Sequence, residues 1–334
     1  MKINLKILMI FLVVFGFTIQ VFGISYAKDI TLIYSGETHG MIYPCNCPIE
    51  PDGGVARRAT LVKQLRQQYP DALLFSTGGF FAGGAMDQYS QNTELDKQRS
   101  LIALKALELM KYDAVTIGDD EFNFGKEFLL DNITKNNINF LSVNIKADKI
   151  APYIIKEIGG IKIGIIGVTT LEVSKKVEGL NILDPKEAVA STVKELKTKG
   201  ANIIILLSHL GEEEDIKLIQ EVKGIDVVIT GHSLIFKGGP LVTKRGDTLF
   251  LRPTWEGRRL DKAVLTVKDN KIVDCKVEEI RLSDKIADDL DILNILPRCF
   301  SSADCRKEGL VGSCQNGGSM NAACTFSEPK KKQN

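Results

Sequence analysis

Residues 201–208 read ANIIILLS, an apolar run typical of a buried strand, and His209 follows it directly. The chain contains three histidines, and the other two occupy the same kind of position. His39 follows the run ITLIYSGET, and His232 follows the run GIDVVITG. Because ligands of α/β sheets bind outside the carboxyl ends of the strands, we expect the three imidazoles to lie at one site.

A fourth apolar stretch ends in carboxylates. Residues 112–122 read YDAVTIGDDEF and place Asp119, Asp120 and Glu121 at the end of a strand-like segment. Imidazole and carboxylate groups are common ligands of zinc, manganese and iron. The sequence therefore predicts a metal site where these strands end.

Strand-like runs alternate with amphipathic helical stretches through most of the chain, which is typical of a layered α/β protein. Helices are predicted over residues 55–69, 95–110 and 185–199, and Gly159-Gly160 predicts a tight hairpin. From about residue 241 onward the pattern is all strand. A mixed sandwich of two sheets with outer helices fits this order better than a doubly wound sheet does.

The first 27 residues differ from the rest of the chain. Lys2 and Lys6 precede an apolar stretch, and Ser25-Tyr26-Ala27 has the small-x-small pattern of a cleavage site. These features predict a signal peptide over residues 1–27 and a periplasmic or secreted protein with no membrane contact after cleavage. The alternative is an uncleaved membrane anchor.

The charge of the chain gives no indication of a polyanionic partner. The formal net charge is +1, and removal of the two lysines of the leader changes it to −1, so we expect no nucleic-acid polymer as a partner. The basic residues 330–332 follow Pro329 and predict a disordered, solvated tail over residues 327–334.

Residues 298–326 differ in composition from the preceding domain, which is predicted to cover residues 28–285. The segment contains four cysteines and almost no large apolar residues, so it cannot build a core of its own. In an exported protein this pattern predicts a small module closed by two disulfides, with three possible connectivities and a metal cluster as the alternative. The cysteines are Cys299, Cys305, Cys314 and Cys324.

Eight short blocks, taken in order, resemble the metallophosphoesterase domain of the 5'-nucleotidase family, which has the calcineurin-like phosphoesterase fold. The resemblance covers about residues 29–280. It implies a four-layer αββα sandwich with two divalent metals at the strand ends, joined by a bridging aspartate. The blocks are GETHG (36–40), GGVARR (53–58), STGGFFAGG (76–84), YDAVTIGDDEFNFG (112–125), LSVNI (141–145), IKIGIIGVTT (161–170), LLSHLGEEED (206–215) and ITGHS (229–233).

Several differences from the family pattern fall on metal-binding positions. The family's Asp-x-His motif corresponds to Glu37-Thr38-His39, whose longer carboxylate is displaced by about one methylene. The bridging aspartate corresponds to Gly79, which has no side chain to hold two metals together. The family's Gly-His-x-His motif ends in Leu234 instead of a second histidine.

The family's Gly-Asn-His-Glu motif corresponds to residues 118–121. Asp119 replaces the asparagine ligand and is itself able to bind metal. Asp120 replaces the histidine that is thought to protonate the leaving group, so the resemblance places it at a catalytic position. An ordinary aspartate is ionised at neutral pH and is a poor replacement for that proton donor.

The ligands that remain imply an unequal pair of metal positions. Asp119, His209 and His232 form a set that suits one Zn, Mn or Fe ion with open positions for water. Glu37 and His39 remain at the other position, which implies that a second metal is weakly bound or absent. The alternative is an active site that has lost its catalytic function and whose histidines bind no metal.

Cys45 and Cys47 follow the first metal motif by a few residues, so their loop is expected over the same strand ends. They are candidates for thiolate ligands of the depleted metal position or for a redox pair. Structural disulfides, with Cys275 as a possible partner, are the alternative. The total of seven cysteines is odd, so at least one thiol is free or paired outside the chain.

Arg57 and Arg58 follow two glycines at a predicted helix start. Guanidinium groups and helix N-terminal amides both bind anions, so these residues are candidates for contact with a small anionic substrate. A solvated surface position explains them equally well.

Two functions are compatible with these features. The first is an exported metal-dependent hydrolase of a phosphoester or a related ester, with weak or altered activity because several ligands are replaced. The second is a non-hydrolytic metal-binding or thiol-redox protein, with a redox partner, built on a degenerate phosphoesterase scaffold.

Overall fold

A computed structural model describes residues 27–45, 47–90, 93–232, 242–254, 257–299, 302, 305, 310–315, 317 and 322–328. Most of the predicted signal peptide, most of the predicted basic tail and Leu234 therefore lie outside the described residues. Within the described part of the chain, no helix combines the length and apolar character needed to cross a membrane.

The described strands form two large sheets and one small hairpin. They are β1 (Lys28–Ser35), β2 (Leu73–Ser76), β3 (Ala114–Thr116), β4 (Phe140–Leu141), β5 (Ile150–Ala151), β6 (Tyr153–Ile158), β7 (Ile161–Thr169), β8 (Ile203–His209), β9 (Val227–Thr230), β10 (Val242–Arg245), β11 (Thr248–Leu251), β12 (Arg259–Lys268), β13 (Lys271–Arg281), β14 (Val311–Gln315) and β15 (Ala323–Ser327).

The described helices connect these strands or cover the sheets. They are α1 (Val55–Gln68), α2 (Thr93–Leu109), α3 (Lys126–Ile133), α4 (Val173–Lys176), α5 (Pro185–Thr198), α6 (Glu212–Glu221) and α7 (Leu290–Leu293), and a short 3₁₀ helix spans Asp120–Phe122.

The first sheet is parallel from its centre to the β5 edge and antiparallel at the β12–β13 edge, whereas the second sheet has a parallel centre with two antiparallel edges. The first sheet has the strand order β13-β12-β1-β2-β3-β4-β5, in which β1 to β5 run parallel. The second has the order β10-β11-β9-β8-β7-β6, in which β7, β8, β9 and β11 run parallel. The parallel strands of each sheet therefore end at one edge, where ligands of such sheets bind.

Three apolar cores separate four layers of structure. One core lies between α1, α2 and the first sheet, and a second lies between the two sheets. A third lies between the second sheet and the helices α5 and α6. This is the four-layer αββα sandwich of the calcineurin-like phosphoesterase fold, and it confirms the fold class expected from the sequence.

Local sequence explains individual elements. All seven residues of β8 are buried because both faces of this strand are covered, which accounts for the unbroken apolar run. Helix α5 begins where Asp184 accepts a hydrogen bond from the Glu187 amide and Pro185 occupies the first turn. Gly159 and Gly160 adopt positive φ angles and form the predicted hairpin between β6 and β7.

The cysteine-rich segment forms two disulfides, and the structure decides their connectivity. Cys299 is bonded to Cys314, and Cys305 is bonded to Cys324. Strands β14 and β15 pair next to these bonds, with Cys314 opposite Cys324. Since all four sulfur atoms are in disulfides, they are not thiolate ligands, and the alternative of a metal cluster in this segment is wrong.

Apolar packing continues beyond residue 285, where the sequence placed the end of the main domain. Ile292 of α7 is fully buried in the core beneath α1 and α2, and Ile295 and Leu296 pack against the same cluster. The segment that joins β13 to the disulfide module is therefore anchored on the helical layer.

Asp261 of β12 is a buried carboxylate at the edge of the core between the sheets. It is 0% exposed and accepts hydrogen bonds from the amide and the hydroxyl of Thr254. Burial raises its pKa to about 7, although the Thr254 donors oppose this change. In the unfolded chain an aspartate ionises near pH 4, so between about pH 4 and pH 7 the folded state holds a proton that the unfolded state has lost.

We expect the free energy of unfolding to fall as the pH rises from about 4 to 7, because ionisation then favours the unfolded chain. Asp261→Asn keeps a hydrogen-bonding partner for Thr254 and removes this contribution, on the order of 3 kcal/mol over the window. Urea unfolding at pH 4.5 and pH 7.5 measures the difference. Asp274→Asn, at an exposed position of β13, is the control, and parallel pH profiles for Asp261→Asn and wild type would contradict the prediction.

Candidate metal centre

The candidate site lies where the parallel strands of both sheets end. Glu37 and His39 follow β1, and Asp119 and Asp120 follow β3, all in the first sheet. His209 is the last residue of β8, and His232 lies two residues beyond β9, in the second sheet. The site therefore draws on both sheets. The rings of His209 and His232 lie 5.0 Å apart, and Glu37 lies 3.4 Å from His209 and 3.7 Å from His39, so the structure brings the three imidazoles together.

Asp119, His209 and His232 form a compact donor set. The Oδ1 atom of Asp119 lies 3.0 Å from His209 Nε2 and 3.3 Å from His232 Nδ1. The possible ligand atoms of all three residues lie within 4.8 Å of one another. One carboxylate and two imidazoles at this spacing fit a single divalent transition metal with open positions.

The ring of His209 is held in the orientation that a ligand requires. It is completely buried, and its Nδ1 atom donates a hydrogen bond to the Thr77 carbonyl at 2.7 Å. Nδ1 therefore carries a proton, and Nε2 faces Asp119. A hydrogen bond from the second ring nitrogen to a backbone carbonyl is the usual way in which proteins orient a histidine ligand.

The charges of the donor set are complementary. Burial alone would lower the pKa of His209, but the carboxylates of Glu37 and Asp119 outweigh it and raise that pKa to about 10. Burial would raise the pKa of Asp119, but hydrogen bonds from His209 and His232 hold it well below its ordinary value. A metal that binds here displaces a proton from His209, so metal affinity is expected to weaken in acid.

A second group of side chains surrounds His39. Its Nδ1 atom lies 2.8 Å from Asp120 Oδ2, and its Nε2 atom lies 3.7 Å from Glu37 Oε2. The other oxygen of Glu37 accepts a hydrogen bond from the His232 amide at 2.7 Å. Burial opposes ionisation of Asp120, yet the bond to His39 keeps its pKa below the ordinary value. Asp120 is thus an ionised partner that orients His39.

Three of these residues have a strained backbone. Glu37, His39 and His232 have φ angles of 50°, 43° and 54°, in the left-handed region that side chains other than glycine rarely adopt. Such residues cost about 1–3 kcal/mol each and occur where surrounding structure imposes the conformation, frequently at functional sites. Strained residues therefore occur both in the donor set of Asp119, His209 and His232 and in the group around His39.

Two glycines make room for these side chains. A Cβ atom at Gly118 would lie 2.5 Å from the His209 ring, which excludes any larger residue there. A Cβ atom at Gly79 would lie 2.7 Å from Glu37 Oε2. The carboxylate of Glu37 therefore occupies the space into which a side chain at position 79 would extend.

Comparisons with known proteins agree with this geometry. No family model matches the chain. It is 33% identical over 225 residues to the snake venom 5'-nucleotidase of Crotalus adamanteus, a match that covers 62% of this chain and 37% of that protein. The crystal structure of the 5'-nucleotidase precursor of Thermus thermophilus has a TM-score of 0.70 and 26% identity, over 80% of this chain and 57% of that one.

The main domain is a homologue of 5'-nucleotidases. The calcineurin-like phosphoesterase YfkN of Bacillus subtilis shares the fold with a TM-score of 0.64 and 24% identity, over 81% of this chain and 96% of that structure. The present chain spans less than half the length of the venom 5'-nucleotidases that it matches. The similarity thus concerns the phosphoesterase domain.

Cys45 and Cys47, in the segment that follows the His39 loop, are not paired with one another. Cys45 is buried and Cys47 is partly buried, and both are free, as is Cys275 on β13. The Cys45 thiol donates to the carbonyl of Glu50 at 3.4 Å, and the Cys47 sulfur accepts from the Glu50 amide at 3.4 Å. Both sulfur atoms are thus engaged with one turn of the loop, and their roles as ligands or as a redox pair stay predictions.

The two arginines of the GGVARR block have backbone partners. Arg58 is 2% exposed and donates to the Gly257 carbonyl at 3.1 Å. Arg57 donates to the carbonyls of Pro51 and Leu282 and lies 3.8 Å from the Asp288 carboxylate. In this conformation Arg58 is not accessible to a substrate, so substrate binding through these side chains stays a prediction.

Glu121 organises the loops of the candidate site, whereas the sequence placed it only among the carboxylates at the end of a strand. Its buried carboxylate accepts four backbone hydrogen bonds, which join the loop after β2 to the turn after β3. Burial raises the pKa of Glu121 to about 7 despite these donors. The donors are the amides of Gly79 at 3.1 Å, Phe80 at 2.7 Å, Phe81 at 3.1 Å and Gly118 at 2.6 Å.

Arg99 supports the loop that carries His39. This arginine of α2 is 3% exposed and forms ion pairs with Asp87 at 2.8 Å and Asp96 at 3.0 Å. It also donates to the carbonyls of His39 and Gly40 at 3.2 and 3.1 Å. The pattern of α2 gave no indication that this charge is buried, because all of its partners except Asp96 come from the loops that follow β1 and β2.

Substitution of Glu121 by alanine is expected to lower the free energy of unfolding by about 3 kcal/mol or more, because four buried amides lose their acceptor. We expect Glu121→Gln to cost less, since its amide oxygen still accepts. Urea unfolding in the presence of a chelator measures both effects without a contribution from metal. Glu127→Ala, at an exposed position, is the control, and equal stabilities of Glu121→Ala and the control would refute the role of Glu121.

Gly79→Asp is expected to lower the free energy of unfolding for two reasons. Backbone strain contributes one part of the loss, and the collision of the new side chain with Glu37 adds about 1–3 kcal/mol. Combination with Glu37→Asp shortens the neighbouring carboxylate and should recover most of this loss. Gly246→Asp is a matched control, since Gly246 has a φ of 61° and open space around its Cβ position. If Gly79→Asp costs no more than the control, positions 37 and 79 are not coupled.

Proposed function

We propose that the protein is an exported, metal-dependent hydrolase of small phosphoesters, with one divalent metal bound by Asp119, His209 and His232. The observation that carries the proposal is the spacing of these donors at the strand ends of a phosphoesterase fold. Export is supported by the leader pattern of residues 1–27 and by the venom origin of relatives of the domain.

The side chains of the chain have separable roles in this reaction. When bound, a divalent metal supplies Lewis-acid chemistry for phosphoester hydrolysis. Asp119, His209 and His232 would hold the metal, and the Thr77 carbonyl orients the ring of His209. Asp120 holds the proton of His39 at Nδ1 and positions that ring at the edge of the site.

We also propose that the activity is weak or altered relative to the nucleotidases. Position 79 has no side chain to join two metals, and Asp120 is ionised and paired with His39, so it is not a proton donor for the leaving group. A second metal next to Glu37 and His39 is expected to bind weakly. Nucleoside monophosphates are the first substrates to test, because relatives of the domain are 5'-nucleotidases.

The structure offers less support for the thiol-redox alternative. The four cysteines of the C-terminal module are paired with one another, and the Cys45 thiol is buried. A redox pair would therefore depend on Cys45 and Cys47, whose sulfur atoms contact Glu50.

His209→Ala and Asp119→Asn are expected to lower metal content below one equivalent and to reduce turnover by about 100-fold or more, because each removes a ligand. Metal analysis of the purified protein, with assays of adenosine monophosphate and bis(p-nitrophenyl) phosphate in added Mn²⁺, measures both effects. Asp131→Asn, at an exposed position, is the control. Wild-type protein that binds no metal, or turnover that persists in Asp119→Asn, would overturn the proposed function.

A further inference from the structure

The ammonium group of Lys176 lies within the carboxylate cluster of the candidate site. Its Nζ atom lies 2.7 Å from Asp119 Oδ2 and 3.3 Å from Asp120 Oδ1, and it donates to Asn123 Oδ1 at 2.8 Å. One cation thus contacts a side chain of the Asp119, His209 and His232 set and a side chain of the group around His39.

The segment that follows β7 places this lysine. Lys176 is the last residue of the short helix α4, which is anchored by the fully buried Val173. Glu172, just before the helix, lies with Oε2 3.4 Å from His232 Nε2. The same turn of chain therefore contacts a histidine and an aspartate of the donor set, and it covers one side of the site.

Lys176 can contact an anion if the ligand displaces one of its two longer contacts, which are those with Asp120 Oδ1 and with the Asp119 carbonyl, both at 3.3 Å. Its side chain is 32% exposed, whereas those of Asp119 and Asp120 are 13% and 10% exposed. Lys176 is therefore the member of this cluster that solvent reaches most. Lysine is a compact point charge with three donors, a group that proteins commonly use to bind phosphate oxygens.

The surrounding charges explain why a cation is needed at this point. Asp119 and Asp120 are adjacent carboxylates, and one metal at Asp119 would leave Asp120 with His39 and Lys176 as its charged partners. A phosphate dianion brought close to two carboxylates is repelled unless a further positive charge lies beside it. In a site with one metal, a fixed ammonium group can provide that charge without a second ion.

We propose that Lys176 is an anion-binding residue of this site, where its ammonium group holds a phosphoryl oxygen beside the single metal held by Asp119. The inference rests on the proposed function, because it assumes that a metal and a phosphate-like ligand meet there. It assigns the site to substrates with a terminal, doubly charged phosphate group.

Affinity for inorganic phosphate tests the inference without an assay of turnover. The full-length protein is loaded with one equivalent of Mn²⁺, and phosphate binding is measured by calorimetry for wild type, Lys176→Gln and Lys176→Arg. We expect phosphate affinity to fall about 10-fold in Lys176→Gln, since one charged hydrogen bond is lost, and to stay within about threefold of wild type in Lys176→Arg.

Lys175→Gln is the matched control, because Lys175 lies on the same helix with its side chain 76% exposed and paired with Glu172. Its phosphate affinity should equal that of wild type. Metal content, measured in parallel, separates the two proposals. Wild-type protein that takes up no metal overturns the proposed function, and this inference with it. If Lys176→Gln binds both metal and phosphate as well as wild type does, the role of Lys176 is overturned and the proposed function is not.

Discussion

The buried imidazole of His209 joins the two sheets at the candidate site, and the rest of the site depends on this contact. The ring belongs to the second sheet, whereas its partners Thr77 and Asp119 follow strands of the first. A polar ring buried this deeply requires a partner at each nitrogen, and the loops that follow β2 and β3 of the first sheet provide both. The requirement to satisfy one buried histidine thus fixes the relative position of the strand ends.

Around this contact, buried charged groups hold loops in conformations that they would not adopt alone. Glu121 gathers four amides from two loops, and Arg99 binds two carboxylates and two carbonyls beneath the loop of His39. These interactions offset the cost of the left-handed backbones at Glu37 and His39. A network of this kind stabilises a single arrangement, because removal of one member leaves the others buried and unsatisfied.

Individual elements show why part of the structure could be predicted. The apolar run of β8 and the capped start of α5 are local patterns, and both elements lie within one or two residues of their predicted bounds. The positions of the three histidines directly after strand-like runs predicted one shared site. By contrast, Arg58 looked like an exposed anion ligand and is buried against the Gly257 carbonyl, since its partner is distant in sequence. The contact of Lys176 with the site could not be predicted for the same reason, because Lys176 follows β7 whereas its partner Asp119 follows β3.

The sequence by itself determined the layered α/β fold, the family resemblance and the candidate metal ligands, because periodic burial and strand-end motifs are patterns of residues close together in the chain. The tertiary structure alone decided the disulfide pairing, the position of Lys176 between Asp119 and Asp120, and the occupation by Glu37 of the space beside Gly79. These features depend on distances between segments far apart in the chain, and such distances are set by how the layers pack.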